Sequence, residues 1–259
     1  MPRAFTRAVS PRLAHCQLTH QPRVPIDAAK AAQQHAAYEQ ALADAGFDIL
    51  RLPELADDPD AVFVEDTALI LGGHAIITRP GAASRAGETQ STASGLSSHF
   101  HVHRVTEGHV DGGDVLRIDE RLYVGLSSRT DSAGIGALRN IAAPLGFTVI
   151  KAELRECLHL KTGATFAGPD GAGTPTLLYS EHSVDPAQFE GVDPLAVADN
   201  EPAAASCIRA GDGLILPAGN PRTAQLLRDR GFRVVEVDVS ELQKAEAGVT
   251  CMSLIDDRS

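Results

Sequence analysis

Tryptophan is absent from this 259-residue chain, aromatics make up 4% of it, and methionine occurs twice. A core without large rings has to be assembled from Ala, Val, Leu and Gly in thin, closely packed layers. Cysteine is sparse too. Cys16, Cys157, Cys207 and Cys251 stand far apart with no CxxC spacing, which argues against a disulfide framework or structural zinc and for reduced thiols in the cytoplasm. The formal net charge is −11 and no Lys/Arg tract occurs, so nucleic acid, which is bound through clustered cations, is not an expected partner. No apolar run approaches the roughly 20 residues that cross a bilayer. The opening MPRAFTRAVSPRLAHC is charged but lacks the apolar centre of a secretory signal, so neither membrane nor export is expected. Neither G-x-G-x-x-G nor the P-loop phrase is present, and the nucleotide-binding folds lack their fingerprint.

A hydrophobic fraction of 43% is enough, at this length, to bury a substantial core. The chain also repeats a phrase. ALADAGFDILRL (41–52), NIAAPLGFTVIKA (140–152) and LLRDRGFRVVEVDV (226–239) each read as helix, Gly-Phe and β-branched strand. Gly46, Gly146 and Gly231 stand where a helix ends in the left-handed conformation that glycine enters cheaply. Between the copies lie strand pairs: 61–80 turning at Gly-Gly, 109–127 turning at Asp119-Glu120, 158–180 turning at 168–175, and 206–219 turning at AGDG. A fifth pair requires VTCMSLID (249–256) to meet RAFTRAVS (3–10), which closes the chain on itself and removes sheet edges. Hairpin, helix and strand recurring about five times point to an α/β fold of radial modules. A doubly wound sheet predicts single strands between helices instead.

Polar groups interrupt these strands in a pattern. PDAVFVED places Asp60, Glu65 and Asp66 around Val-Phe-Val, HVDGGDVL places Asp111 and Asp114 around two glycines, CLHLK carries His159 in an apolar strand, GLSSR ends at Arg129, and VTC carries Cys251. Singly, each has a plain structural reading: a satisfied strand histidine, an Asp-Gly turn, a small core thiol. Together they supply a nucleophile, a base and an orienting acid on separate modules. An unperturbed thiol has a pKa of about 8.5 and becomes nucleophilic beside a cation. Several carboxylates in one cleft favour a cationic substrate, and thiolate attack on a guanidinium carbon fits best.

The phrases FVEDTALI, ITRPGAASR, DGGDVL, VGLSSRT, LHLK and SELQKAEAGVTCMSL occur in the order of the dimethylarginine dimethylaminohydrolase family, of the guanidine-modifying (pentein) superfamily, which the sequence resembles from residue 60 onward, with a weaker likeness at AHCQL. The resemblance implies a five-module pseudo-symmetric α/β propeller in a single domain over residues 1–259. It implies Cys251 as nucleophile, His159 as general acid/base and Asp111 as the acid orienting it. Asp66 with Glu65 is expected to hold the guanidinium, Asp60 and the Leu18 carbonyl the α-amino group, and Arg85 and Arg129 the α-carboxylate, with Phe63 and Ala245 completing the substrate contacts. Asp114 is expected only to cap its own turn. The reaction implied converts Nω,Nω-dimethyl- or Nω-monomethyl-L-arginine to L-citrulline and the amine through a thiouronium on Cys251, with no metal and no cofactor.

Deiminases of the superfamily that act on arginine resemble one another in a His-x-Asp phrase. Here it reads His159-Leu160-Lys161, and the missing carboxylate leaves room for a methylated nitrogen. The alternatives are a deiminase acting on another guanidine and a catalytically silent propeller that binds a partner. The expected partners are a small substrate and, at most, a second copy of the chain as a homodimer. Residues 15–25, polar and carrying Leu18, can serve as a lid.

Overall fold

The computed structural model describes residues 1–258. Its fifteen strands form five three-stranded sheets, each an antiparallel pair extended by a third, parallel strand. In the first sheet β1 (Arg3–Thr6) pairs in parallel with β2 (Asp48–Arg51), after the helix α1 (Ala28–Asp44). The second contains β3 (Ala68–Leu71), β4 (His74–Ile77) and, after α2 (Glu88–Leu96), β5 (His101–Arg104). The third contains β6 (Val115–Ile118), β7 (Arg121–Leu126) and, after α3 (Ser132–Ala142), β8 (Thr148–Glu153). Next, α4 (Leu160–Gly163) precedes a fourth sheet of β9 (Ala164–Pro169), β10 (Pro175–Tyr179) and β11 (Asp193–Ala196). The fifth holds β12 (Ile208–Ala210), β13 (Gly213–Pro217) and, after α5 (Pro221–Asp229), β14 (Arg233–Val237). After α6 (Ser240–Gln243), β15 (Leu254–Asp256) returns antiparallel to β1, Arg3 opposite Asp256. The ends of the chain therefore share one sheet, as the fifth strand pair required.

The three Gly-Phe junctions fall where the sequence put them, with Gly46, Gly146 and Gly231 at φ of 94°, 89° and 86°. Two modules depart from the expected grammar. The second passes from α2 to β5 through Ser98-His99-Phe100 without glycine, and Phe100 fills the position of the other phenylalanines. The fourth has no α-helix between β10 and β11, only a short 3-10 turn, Pro186–Gln188. α1 is fastened by Asp27, whose carboxylate accepts from the N–H groups of Ala29 and Lys30. Its buried stripe of Ala31, Gln34, His35, Tyr38 and Leu42 follows the helical period. The Tyr38 hydroxyl then meets Ser253 Oγ at 2.7 Å, tying this helix to the segment behind Cys251.

A second repeat, invisible as composition, positions the chemistry. Each module enters its hairpin through a single helical turn: Val64–Thr67, Gly112–Asp114, α4, Pro202–Ala205 and Thr250–Met252. His159 and Cys251 thus lie on these turns, not in strands as expected: His159 caps α4, and Cys251 is in the turn before β15. One turn of helix reverses side-chain direction within three or four residues, so polar groups preceding an apolar strand can project inward while the strand remains in the core. Four of the five turns carry or adjoin reactive side chains. The fifth, Pro-Ala-Ala-Ala, carries none.

Candidate active site

Cys251, His159, Asp66, Asp60, Arg85 and Arg129 line one cleft, together with Gln17, Phe63, Leu158, Ala245, Glu246 and Ala247. His159 is clamped between acids: Nε2 lies 3.0 Å from Asp111 Oδ2 and Nδ1 lies 3.7 Å from Asp66 Oδ1. Asp111 sits behind the cleft, fully buried, and its other oxygen accepts the Gly81 N–H at 2.8 Å. Asp66 accepts the Gly113 N–H at 3.1 Å on Oδ1 and an Arg85 N–H on Oδ2. Asp66, Asp111 and His159 offer ligand atoms within 4.8 Å of one another. Each carboxylate oxygen is nevertheless already engaged, and the geometry reads as a histidine held by two acids.

The two glycines of DGGD permit this arrangement. A Cβ on Gly112 would lie 2.0 Å from the Glu65 carbonyl oxygen, and one on Gly113 would lie 2.7 Å from Asp66 Oδ1 and 2.8 Å from His159 Nδ1. Gly113→Ala is expected to lower kcat/KM about 10²-fold by displacing the imidazole while circular dichroism stays native. Asp114 does not cap its own turn as expected. Its Oδ1 accepts the Leu160 N–H at 3.0 Å and its Oδ2 the Ser127 hydroxyl at 2.6 Å, so it fixes the start of α4, and hence His159, from the neighbouring module.

Burial pushes the Cys251 thiol up to about 12, with Glu65 and Asp66 adding to the rise, and the Gly248 N–H at 3.3 Å from Sγ only partly opposes it. Burial also works against the His159 cation, but Asp66, Asp111 and Asp114 outweigh it and hold the imidazole at about 9. In the free cleft at neutral pH the pair is therefore thiol and imidazolium.

Glu65 and Leu18 do not line the cleft. Glu65 lies behind it, 2.7 Å from Lys161 Nζ, with its second oxygen buried and unpartnered. Lys161 thus neutralises an acid near Cys251 while leaving the space beside His159 open. Leu18 packs against the core around α1, next to Gln17, whose N–H reaches both oxygens of Asp60 at 3.1 Å. Arg85 is buried and largely engaged: it donates to Asp66, to both oxygens of Glu88 and to the carbonyls of Asp60 and Phe63. Arg129 differs. It is 8% exposed, and its side-chain partner among the described residues is the uncharged Thr19 Oγ1 at 2.7 Å.

Glu246 was not anticipated. At φ 60° it turns its carboxylate onto the N–H groups of Thr19, His20 and Gln21, the loop expected to act as a lid. Contacts between residues more than 220 positions apart leave no local trace, and only the unusual backbone of a non-glycine residue marks the site. The other three cysteines fit plain roles: Cys16 and Cys207 are buried, Cys157 is half-buried, and all four are free thiols.

A cysteine, a histidine held by acids and an acid-rich cleft, set on matching turns of five α/β modules, define a guanidine-modifying enzyme of the pentein class. Similarity to known proteins narrows the class. The chain is 38% identical to N(G),N(G)-dimethylarginine dimethylaminohydrolase of Pseudomonas aeruginosa over 231 residues, covering 88% of this chain and 89% of that protein. It is 38% identical to the protein of the same name from Streptomyces coelicolor over 254 residues, 97% of this chain and 96% of that one. The solved structure of the Pseudomonas aeruginosa enzyme, a cysteine-to-serine mutant complexed with citrulline, matches with a TM-score of 0.91 at 34% identity over 98% of each chain. The N-terminal domain of a cyanobacterial arginine dihydrolase matches with a TM-score of 0.80 at 19% identity over 98% of each chain, a likeness of fold alone. No protein-family model matches the chain. The chain belongs to the dimethylarginine dimethylaminohydrolase family.

Proposed function

We propose that Cys251, His159 and Asp111 carry out the hydrolysis of Nω,Nω-dimethyl-L-arginine, or its monomethyl analogue, to L-citrulline and the methylated amine, the reaction to which the family assignment points. The carrying observation is geometric: Cys251 and His159, whose ring is held between Asp111 and Asp66, line one cleft with the carboxylates of Asp60 and Asp66, which welcome a cation. The same carboxylates that raise the thiol pKa attract the substrate guanidinium, and its positive charge beside Sγ then lowers that pKa. The thiol proton leaves to solvent, and the thiolate adds to the guanidinium carbon. The His159 imidazolium protonates the departing amine, the carbon–nitrogen bond breaks, and a thiouronium remains on Cys251. Neutral His159 then takes a proton from water as hydroxide adds to the same carbon, and collapse of the adduct, with its hydroxyl proton lost to solvent, frees the thiolate and citrulline and leaves His159 as the imidazolium. Asp111 holds the imidazole in place through Nε2, leaving Nδ1 as the nitrogen nearer Asp66.

Asp60, with its pKa raised by burial against the opposing pull of Arg85 and the Gln17 N–H, suits the substrate's α-ammonium. Arg129 suits the α-carboxylate, because it is the cleft guanidinium not already paired with an acid. Arg129→Ala is expected to raise KM for dimethylarginine by about two orders of magnitude, the scale of losing one partner of a desolvated charge pair. Turnover of agmatine, which has no carboxylate, should change little, and steady-state kinetics on both compounds checks this.

Glu246 anchors the loop bearing Leu18 over this cleft. Glu246→Gln, which places a donor against three backbone donors, is expected to raise KM about ten- to a hundredfold with a smaller change in kcat. We also propose that the chain acts as one domain, supported by the shared sheet of its two ends, and works in the cytoplasm, supported by its four free thiols.

A further inference from the structure

Two pairs of side chains join the turn Val64–Thr67 to the start of α4. Asp66 Oδ1 lies 3.7 Å from His159 Nδ1, and its neighbour Glu65 places Oε1 2.7 Å from Lys161 Nζ. Consecutive acids on one turn thus meet two basic side chains that stand two residues apart on the other. The first pair belongs to the catalytic machinery. Nothing in the proposed hydrolysis uses the second. The turn that carries Glu65 also packs against Thr250–Met252, the turn that carries Cys251.

Stability gives a buried ion pair little reason to exist. Taking two charges out of water costs about as much as their attraction returns, and apolar residues of similar volume commonly serve a fold as well. Glu65 is costlier than most, because it is buried and its Oε2 has no partner. Burial pushes its carboxyl up, and Lys161 pulls against that rise. What sets the place apart is the neighbouring thiol. After burial, Glu65 is the largest cause of the rise at Cys251, ahead of Asp66. The other groups around Cys251 are already committed. Asp66 holds Arg85 and the Gly113 N–H, His159 holds Asp111, Tyr38 holds Ser253, and Glu246 holds the N–H groups of Thr19, His20 and Gln21. Of the remaining charged groups of the cleft, Asp60 accepts from Gln17 and Arg129 donates to Thr19. Lys161 therefore sets a positive charge against the acid that weighs most on the thiol, and a cation near a thiol favours its anion.

We propose that Lys161 is a positioning residue for the reaction: its ammonium offsets Glu65 at Cys251 and so governs how readily the nucleophile ionises. The proposal rests on the reading of Cys251 as nucleophile, but the field it describes acts on the thiol whether or not citrulline is formed.

The test reads the thiol directly. Iodoacetamide alkylation of Cys251 is followed from about pH 8 to 10 by peptide mass spectrometry in the wild type, Lys161→Met, Glu65→Gln and the double variant, with circular dichroism as the check on folding. The thiolate is the reacting form, so the rate at a fixed pH follows the ionised fraction. Lys161→Met leaves the acid uncompensated and should slow alkylation about tenfold, whereas Glu65→Gln leaves the ammonium alone and should quicken it about tenfold. The double variant carries neither charge and should return to within about threefold of the wild type, a restoration that a merely structural role would not give. If Lys161→Met does not fold, Glu65→Gln against the double variant decides, since neither leaves a buried carboxylate unpaired. Alkylation at the wild-type rate in Lys161→Met, or equal rates in Glu65→Gln and the double variant, would overturn the proposal. Absence of citrulline formation by the wild type would count against the hydrolysis alone and leave these rates standing.

Discussion

Replacing Cys251 by serine is expected to lower citrulline formation from dimethylarginine by about 10⁶-fold, the scale on which a covalent nucleophile's loss is felt. The reason is electrostatic as much as chemical. Burial in the cleft, with Glu65 and Asp66 adding to it, pushes even a thiol to about 12. A hydroxyl, intrinsically a far weaker acid, has no route to its anion in the same field. The substitution is nearly isosteric, and the Gly248 N–H that faces Sγ at 3.3 Å can face Oγ instead, so the fold and substrate binding should survive. The same field makes a prediction about reagents. Neutral iodoacetamide should alkylate Cys251 slowly at pH 7, whereas a cationic haloacetamidine, which brings its own positive charge to Sγ, should react quickly and selectively. Peptide mapping that found the adduct on Cys16, Cys157 or Cys207, with activity lost and Cys251 intact, would count against the assignment.

Substituting His159 by asparagine is expected to reduce kcat by 10²- to 10⁴-fold, the usual range for a positioned general acid/base. Its pH signature is more discriminating than its size. In the free cleft His159 holds its proton up to about 9 and Cys251 holds its proton up to about 12. The productive complex needs imidazolium and thiolate together, one proton fewer than the free cleft carries at neutral pH. Substrate capture must therefore release a proton, and kcat/KM of the wild type should rise about tenfold per pH unit toward pH 9 before levelling off. A profile flat from pH 6 to 8 would mean that thiolate and imidazolium already coexist in the empty cleft. Asp111→Asn removes one of the carboxylates that raise the His159 pKa, so the levelling point should move to lower pH.

Much of this architecture was legible because glycine and phenylalanine mark it. A left-handed helix end requires Gly46, Gly146 and Gly231, the pattern of turn residues marked four strand pairs, and the need for a fifth pointed to the closure of β15 on β1. What local pattern could not give is tertiary. His159 and Cys251 lie among apolar neighbours and read as strand residues. Their one-turn helices exist because the modules pack around a shared cleft. Asp114 read as a turn cap because its partners, Leu160 N and Ser127 Oγ, belong to distant parts of the sequence. Glu246 and the Lys161–Glu65 pair escaped for the same reason. The fourth module's missing helix had a faint sign, since residues 181–192 contain Pro186 and Gly191 and no helical period.

The central claim is that the cleft hydrolyses a methylated arginine through Cys251, and citrulline release across a substrate panel tests it most directly. With dimethylarginine, monomethylarginine, arginine and agmatine offered separately to the wild-type protein, the methylated arginines should yield citrulline with kcat/KM at least about 10²-fold above arginine. Agmatine should be poorer still, lacking the carboxylate that Arg129 awaits. Arginine turned over as well as dimethylarginine, or agmatine at comparable efficiency, or no citrulline from any of the four, would contradict the account.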